Sequence, residues 1–211
     1  MEKVKEVPYG VADFVTVMEQ NLYYVDKTMF IPELEKQPRN LFFIRPRRFG
    51  KSIFLSMLHS YYDCNQSAKF QSLFGNLWIG QHPTELQGKY QVLFLDFSQV
   101  SGNIDSLERN FDFYCSVKLD GFMRRYGEAY SEETREKVRK AEYAMDKLAF
   151  IHDEAAQKGF SLYLIVDEYD NFTNVVLNEH GEKVYHAITH ADGFYRDVFK
   201  KFKGNFERIF M

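Results

Sequence analysis

The chain has 211 residues, of which 45% are hydrophobic and 27% are charged, with a formal net charge of −3. This balance is typical of a globular protein with one domain, or one domain and a fragment, and it argues against disorder and against a general attraction to nucleic acid. No apolar run approaches the roughly 20 residues that a membrane helix needs, and residues 1–6 lack the apolar core of a signal peptide, so we expect a cytoplasmic protein that does not bind membranes.

The first 40 residues come before the first strong strand pattern, and we treat 1–40 as an N-terminal segment. Their pattern predicts a helix near 15–18, which Asp13 or a neighbouring residue begins. Asp26 and Lys27 are adjacent opposite charges, which we interpret as a surface pair with little energetic weight.

Residues 41–52 predict a buried strand, a tight loop and the first turn of a helix. The apolar run 41–44 is the strand, and apolar residues at spacings of three and four follow the loop. Gly50, Lys51 and Ser52 fill the last three places of the phosphate-binding pattern G-x-x-x-x-G-K-[ST]. An arginine stands where that pattern has its first glycine.

A loop of this kind binds phosphate through its backbone, because amide groups at a helix start point outward and the helix dipole favours negative charge there. Lys51 would reach the β- and γ-phosphates of a nucleotide, and the Ser52 hydroxyl would bind Mg²⁺. Arg45, in the place of the first glycine, costs the loop only the flexibility of that glycine. The alternative interpretation is a basic loop that enters a helix, with Gly-Lys-Ser present by chance.

The middle of the chain predicts one strand and two long helices after an irregular stretch. The strand covers 91–97, and helical patterns follow over 107–126 and 131–158, the second of them ended by Gly159. A helix that leads into a parallel strand is the crossover typical of α/β sheets.

A second strand pattern, 161–167, ends in two acidic residues. Its apolar part is continuous, as in a central strand of a parallel sheet, and Asp167 and Glu168 follow it. A carboxylate at the tip of a buried strand can hold Mg²⁺, and a second acid can orient the attacking water. We therefore predict Asp167 as a metal ligand and Glu168, with Lys51, as catalytic. The alternative is that the two acids begin a solvated loop.

The last third predicts a helix over 184–202 and a further apolar strand over 206–211. A sheet of the predicted type needs a fifth strand, so we expect the core to be truncated after its fourth strand. The chain would then be part of a longer protein, or a neighbour would cover its edge. An unpaired apolar edge ending in Phe210 and Met211 predicts self-association.

The sequence resembles the prokaryotic AAA-ATPase-like family over essentially its whole length. The blocks that carry the resemblance are Val-Pro-Tyr-Gly-Val-Ala-Asp-Phe at 7–14, Tyr-Val-Asp-Lys-Thr at 24–28, Arg-Pro-Arg-Arg-Phe-Gly-Lys-Ser at 45–52 and Asp-Glu-Tyr-Asp at 167–170. Members of this family typically carry the same Arg-Pro-Arg-Arg-Phe-Gly-Lys-Ser block. Arg45 in the place of the first glycine therefore follows the family's own pattern.

The resemblance implies an α/β P-loop NTPase fold of the AAA, or additional-strand, type, with a mainly parallel central sheet flanked by helices and its core over 41–211. It also implies ATP and Mg²⁺ as ligands, and in the family a nuclease-like domain usually follows. By analogy with AAA-type ATPases, the N-terminal segment would cover the adenine base through Tyr9, Val11 or Phe14. The predicted nucleotide contacts of the loop are Arg47, Arg48, Phe49, Gly50, Lys51, Ser52 and Ile53.

These observations predict a Mg²⁺-dependent domain that binds and hydrolyses ATP and couples its nucleotide state to a partner or a C-terminal module. One alternative is a switch that binds nucleotide without hydrolysing it. A further alternative is a nucleic-acid-binding module that uses the basic loop. The sequence leaves the partner, any contact with nucleic acid and the oligomeric state open.

Overall fold

The computed structural model describes residues 4–44, 49–100, 104–169, 177 and 193–211, with backbone alone at 104 and 105. The chain divides into two compact units, Met1–Gln91 and Val92–Met211, and each is described by itself. In the ranges just given, no helix combines the length and the apolar character that crossing a membrane requires.

The first unit is mostly helical. Its elements are α1 (Phe14–Glu19), a 3₁₀ turn (Thr28–Phe30), α2 (Ile31–Glu35), β1 (Asn40–Leu41), α3 (Lys51–Tyr62), a 3₁₀ segment (Cys64–Lys69), α4 (Phe70–Phe74) and α5 (Trp78–Gln81).

Helix α1 begins where the sequence predicts. The Asp13 carboxylate accepts hydrogen bonds from the amide and the hydroxyl of Thr16, at 2.7 and 2.6 Å, and so caps the first turn. The Phe14 amide donates to Ser56 Oγ of α3 at 2.9 Å, and that hydroxyl donates to Asp13 at 3.2 Å. Asp13 and Phe14 therefore connect the start of α1 to α3 within the first unit.

The prediction of a buried strand from residue 41 to residue 44 is wrong in both length and burial. Only Asn40–Leu41 form the strand β1. Phe42 and Ile44 are 51% and 84% exposed, whereas Phe43 is half-buried and its ring contacts α3. Because successive side chains of extended backbone point to opposite sides, a continuous apolar run here is covered on one side only.

The second unit contains the longer strands and helices. Its elements are β2 (Tyr90–Asp96), which starts just before the boundary, a 3₁₀ turn (Phe97–Gln99), α6 (Ile104–Tyr126), a 3₁₀ turn (Gly127–Ala129), α7 (Glu132–Lys140), α8 (Ala144–Lys158), β3 (Ser161–Asp167), α9 (Phe194–Asn205) and β4 (Arg208–Phe210).

Strand β3 is the centre of this unit and lies between β2 and β4. Residues 162–167 of β3 are all buried, as expected for a strand covered on both faces. Strands β3 and β4 are parallel, with the partners Tyr163 and Arg208, Leu164 and Ile209, and Ile165 and Phe210. The predicted strands at 91–97 and 161–167 are confirmed, and with them an α/β fold with parallel strands flanked by helices.

The single helix predicted over 131–158 is instead two helices, α7 and α8. Ala141 is extended, with φ −65° and ψ 132°, and this ends α7. The amide of Ala144, at the start of α8, donates to the Asp112 carboxylate of α6 at 2.9 Å. No glycine or proline marks the break. The bond from Asp112 gives the first amide of α8 a partner that it lacks within the helix.

The end of the chain differs from its predicted state. Strand β4 lies within the predicted range, and Ile209, Phe210 and Met211 are each only 1% exposed. Because these residues are buried, an exposed apolar edge is no longer a reason to expect self-association. Self-association itself stays a prediction. Helix α9 begins at Phe194, and the predicted helical residues 184–192 lie outside the described part of the chain.

A buried carboxylate ties the start of α7 to α8. Glu154 accepts hydrogen bonds from the amide and the hydroxyl of Ser131, at 2.7 and 2.8 Å, and pairs with Lys158 at 2.7 Å. Burial alone raises the pKa of the Glu154 carboxyl, but hydrogen bonds from Lys158, Thr134 and Ser131 outweigh this effect and lower the pKa to about 2. The folded state therefore stabilises the ionised form.

We expect Glu154→Gln to lower the free energy of unfolding by about 1 to 2 kcal/mol at neutral pH, because charge-assisted hydrogen bonds are lost. A depressed pKa stabilises the fold above the ordinary carboxyl pKa, and this stabilisation is lost as the pH falls through about 2. Urea unfolding should show that the difference in free energy of unfolding between wild type and Glu154→Gln shrinks as the pH falls from 4.5 to about 2. Glu136→Gln, which removes an exposed carboxylate paired with Lys140, is the control. A difference that is constant with pH would contradict the prediction.

Candidate functional site

The phosphate-loop motif lies at the start of α3 in the first unit. Gly50 is the residue before the helix and has φ 75° and ψ 31°, a left-handed conformation that glycine adopts without steric cost. No side chain of the described residues caps this end of the helix. The first amides of a helix lack partners within it, so the helix start is suited to bind an anion.

Lys51 and Ser52 are the first two residues of α3, and both are half-buried. A side chain in the first turn of a helix can reach a ligand held by the amides at the helix start. Ile53, also half-buried, belongs to the same turn, whereas Phe49 is 64% exposed. The structure thus brings together the described part of the predicted loop, 49–53. Arg45, Arg47 and Arg48 lie outside the described residues.

Lys27 also lies at this loop, which the sequence interpretation missed. A Cβ atom placed on Gly50 would lie 3.6 Å from Lys27 Nζ and 3.5 Å from Ile53 Cγ2. The interpretation of Asp26 and Lys27 as a surface pair is wrong, because Asp26 accepts hydrogen bonds from Thr28 and from the amide of Trp78 instead. The signal available in the sequence was the Tyr-Val-Asp-Lys-Thr block that contains both residues.

The residues predicted to cover an adenine base lie in unlike environments. Phe14 is fully buried, and its ring packs on those of Tyr24 and Phe74, with centroids 5.3 and 5.0 Å away. It is therefore a core residue, and its ring is not accessible to a base. Tyr9 is 98% exposed and Val11 is half-buried. Contact between Tyr9 and a base stays a prediction.

The acidic motif lies at the carboxyl end of β3 in the second unit. Asp167 is the last residue of the strand and is 5% exposed, whereas Glu168 is half-buried. Glu168 has φ 51°, and its amide donates to Asp167 Oδ1 at 2.9 Å. A left-handed conformation costs a non-glycine residue about 1 to 2 kcal/mol, and such strain concentrates at functional sites.

Two tyrosine hydroxyls hold the carboxyl ends of neighbouring strands in this unit. Tyr195 of α9 donates to the carbonyl of Tyr169, two residues after Asp167, at 2.7 Å. Tyr114 of α6 accepts from the amide of Asp96, the last residue of β2, at 2.7 Å. The two tyrosines therefore fix the backbone at the carboxyl ends of β2 and β3, and Asp167 and Glu168 lie at the carboxyl end of β3. Ligands of open α/β sheets bind at the carboxyl ends of the strands.

Comparison with known proteins identifies the family. The family model described as Predicted AAA-ATPase matches residues 8–211, which include both motifs. The chain belongs to the predicted AAA-ATPase family. The matched residues include Gly-Lys-Ser at the start of α3 and Asp-Glu at the carboxyl end of β3.

One curated protein that is similar to this chain is the "Uncharacterized protein in vnfD 5'region" of Azotobacter chroococcum mcd 1. It is 43% identical over 63 residues, which are 29% of this chain and 12% of the relative. The chain therefore matches only a small part of the relative's length. No solved structure matches the chain.

The oxygen atoms of two predicted site residues, Asp167 and Ser52, are suitable donors for a hard divalent cation. Magnesium prefers oxygen ligands and is usually held by one or two carboxylates together with substrate phosphates. Asp167 supplies a nearly buried carboxylate at a strand end, and Ser52 supplies a hydroxyl in the first turn of a helix. Each oxygen, considered within its own unit, is a donor of the kind that Mg²⁺ accepts.

Proposed function

We propose that this chain binds ATP and hydrolyses it in a Mg²⁺-dependent reaction. The observation that carries the proposal is the start of α3, where a left-handed Gly50 precedes a helix that begins with Lys51 and Ser52 and that no side chain of the described residues caps. Membership of the predicted AAA-ATPase family supports it. The triphosphate would lie on the amides at the helix start, with the Lys51 ammonium on its β- and γ-phosphates.

Hydrolysis needs a group that accepts the proton of the attacking water and a cation that neutralises negative charge on the phosphate oxygens. In the reaction, a water oxygen forms a bond to the γ-phosphorus, the bond between that phosphorus and the bridging oxygen breaks, and ADP leaves. Glu168 would orient the water and accept its proton. When bound, Mg²⁺ neutralises negative charge that develops on the phosphate oxygens, and Ser52 and Asp167 would hold it.

The strained backbone of Glu168 supports a functional role for this residue, because such strain concentrates at active sites and at switch regions. The carboxylate favours hydrolysis over a switch that only binds nucleotide, because a carboxylate can accept a proton from water. We also propose that the nucleotide state is coupled to another module, which would be a partner protein or a nuclease-like domain.

Removing the metal tests this proposal. We expect chelation by EDTA to weaken binding of a fluorescent ATP analogue several-fold and to abolish phosphate release, while the melting temperature without nucleotide stays the same. Ser52→Ala should bind ATP less tightly than wild type and lose most of its sensitivity to EDTA. Ser72→Ala, at an exposed position of α4, should behave as wild type. Equal affinity with and without Mg²⁺ in wild type would contradict the proposal.

A further inference from the structure

The turn that contains Lys27 is fixed to α5 at two points. Asp26 accepts from the amide and hydroxyl of Thr28 through Oδ1, at 2.8 and 2.7 Å, and from the amide of Trp78 through Oδ2, at 2.7 Å. The Thr28 hydroxyl is fully buried and accepts from the Ile79 amide at 3.1 Å. Both residues that flank Lys27 thus have their side chains committed to backbone contacts.

The side chain of Lys27 itself has no such structural contact. The Lys27 carbonyl accepts a hydrogen bond from the Phe30 amide at 3.2 Å. The Lys27 side chain forms no hydrogen bond or ion pair with any residue in the part of the chain that the structure describes, although the residue is half-buried. Its ammonium lies beside the backbone of Gly50, 3.6 Å from where a Cβ would be. A half-buried cation held by a rigid turn, but without a carboxylate partner, is suited to pair with an anion from outside the chain.

From this geometry we infer that Lys27 is a second cation for the phosphates, acting with Lys51 on the anion bound at the start of α3. The inference rests on the proposed function, because it uses the same phosphate site. A triphosphate carries several negative charges, and a lysine acts on them as a mobile point charge. Asp26 and Thr28 are positioning residues, since they fix the backbone from which Lys27 reaches the loop.

The test is calorimetric titration of the full chain with ATP and, separately, with inorganic triphosphate. We expect Lys27→Gln to lower the affinity for both ligands by at least about tenfold, because one charge-assisted contact is lost. Lys27→Arg should recover part of the affinity. Lys36→Gln, which removes an exposed lysine paired with Glu33 in the same unit, should change neither. Melting curves without ligand should be the same for all four proteins.

The outcomes separate this inference from the proposed function. If Lys51→Ala abolishes binding but Lys27→Gln binds as wild type does, the inference about Lys27 is wrong and the nucleotide site stands. If Lys27→Gln weakens ATP but not inorganic triphosphate, Lys27 contacts the nucleoside and the inference is also wrong. If wild type binds neither ligand, the proposed function itself fails.

Discussion

Lys51→Ala is expected to remove at least about a hundredfold of the affinity for ATP. Contacts between an ammonium and phosphate oxygens contribute about 1.5 to 3 kcal/mol each, and the variant loses two of them if Lys51 reaches both the β- and the γ-phosphate. Each 1.4 kcal/mol is a factor of about ten in affinity. Calorimetric titration of wild type and variant with ATP and Mg²⁺ measures this loss.

The fold of this variant should be intact. Lys51 is the first residue of α3, and alanine is a good helix former, so the melting temperature without nucleotide should change little. Lys69→Ala is a matched control, since it removes an exposed lysine of the same unit that pairs with Glu19. Unchanged ATP affinity in Lys51→Ala would exclude the phosphate-loop interpretation, whereas a large fall in its melting temperature would make the affinity uninterpretable and call for Lys51→Gln.

The local patterns in the sequence predicted much of the regular structure. Helix α3 begins at Lys51, directly after the glycine of the motif, and β3 ends at Asp167, directly before the second acid. Both boundaries depend on short-range chemistry, a glycine that can adopt positive φ and an apolar run that stops at a charge. Features of this kind can be predicted from the residues alone.

Features that depend on contacts distant in sequence could not be predicted in this way. The start of α8, after the break from α7, is capped by Asp112, whose carboxylate accepts from the Ala144 amide 32 residues away. The position of Lys27 follows from the bond between Asp26 and the Trp78 amide, 52 residues away. In the sequence, Asp26 beside Lys27 looked like an ion pair because nothing local shows that the carboxylate has other donors.

The conformation of Glu168 also could not be predicted from its residue type. A positive φ is usually signalled by glycine, and sometimes by asparagine or aspartate. A glutamate gives no such signal, and yet Glu168 has φ 51°. The acid itself was predicted from its place after β3, but the strain that supports a functional role is visible only in the structure.

Glu168→Gln should lower the rate of ATP hydrolysis by about a hundredfold to ten-thousandfold, the contribution typical of a general base. The amide keeps the size and the strained backbone of the glutamate but removes its basic oxygen. ATP affinity should be unchanged or higher, because the substitution keeps the size of the side chain and removes a negative charge. Phosphate release and calorimetric titration measure the two quantities. Equal hydrolysis in wild type and Glu168→Gln would exclude Glu168 as the general base. Absence of hydrolysis in wild type would favour a switch that binds nucleotide without hydrolysing it.

Glu168→Gly distinguishes the carboxylate's chemistry from the backbone's conformation. Glycine adopts φ 51° at no steric cost, so we expect the free energy of unfolding of Glu168→Gly to equal that of wild type or to exceed it by up to about 1 kcal/mol. Hydrolysis should be lost in Glu168→Gly as in Glu168→Gln. Urea unfolding of the three proteins measures the first effect and phosphate release the second. If both variants keep the stability of wild type and lose hydrolysis, the strained conformation of Glu168 in wild type serves catalysis. A glycine variant that is clearly destabilised would instead show that the Glu168 side chain supports the fold.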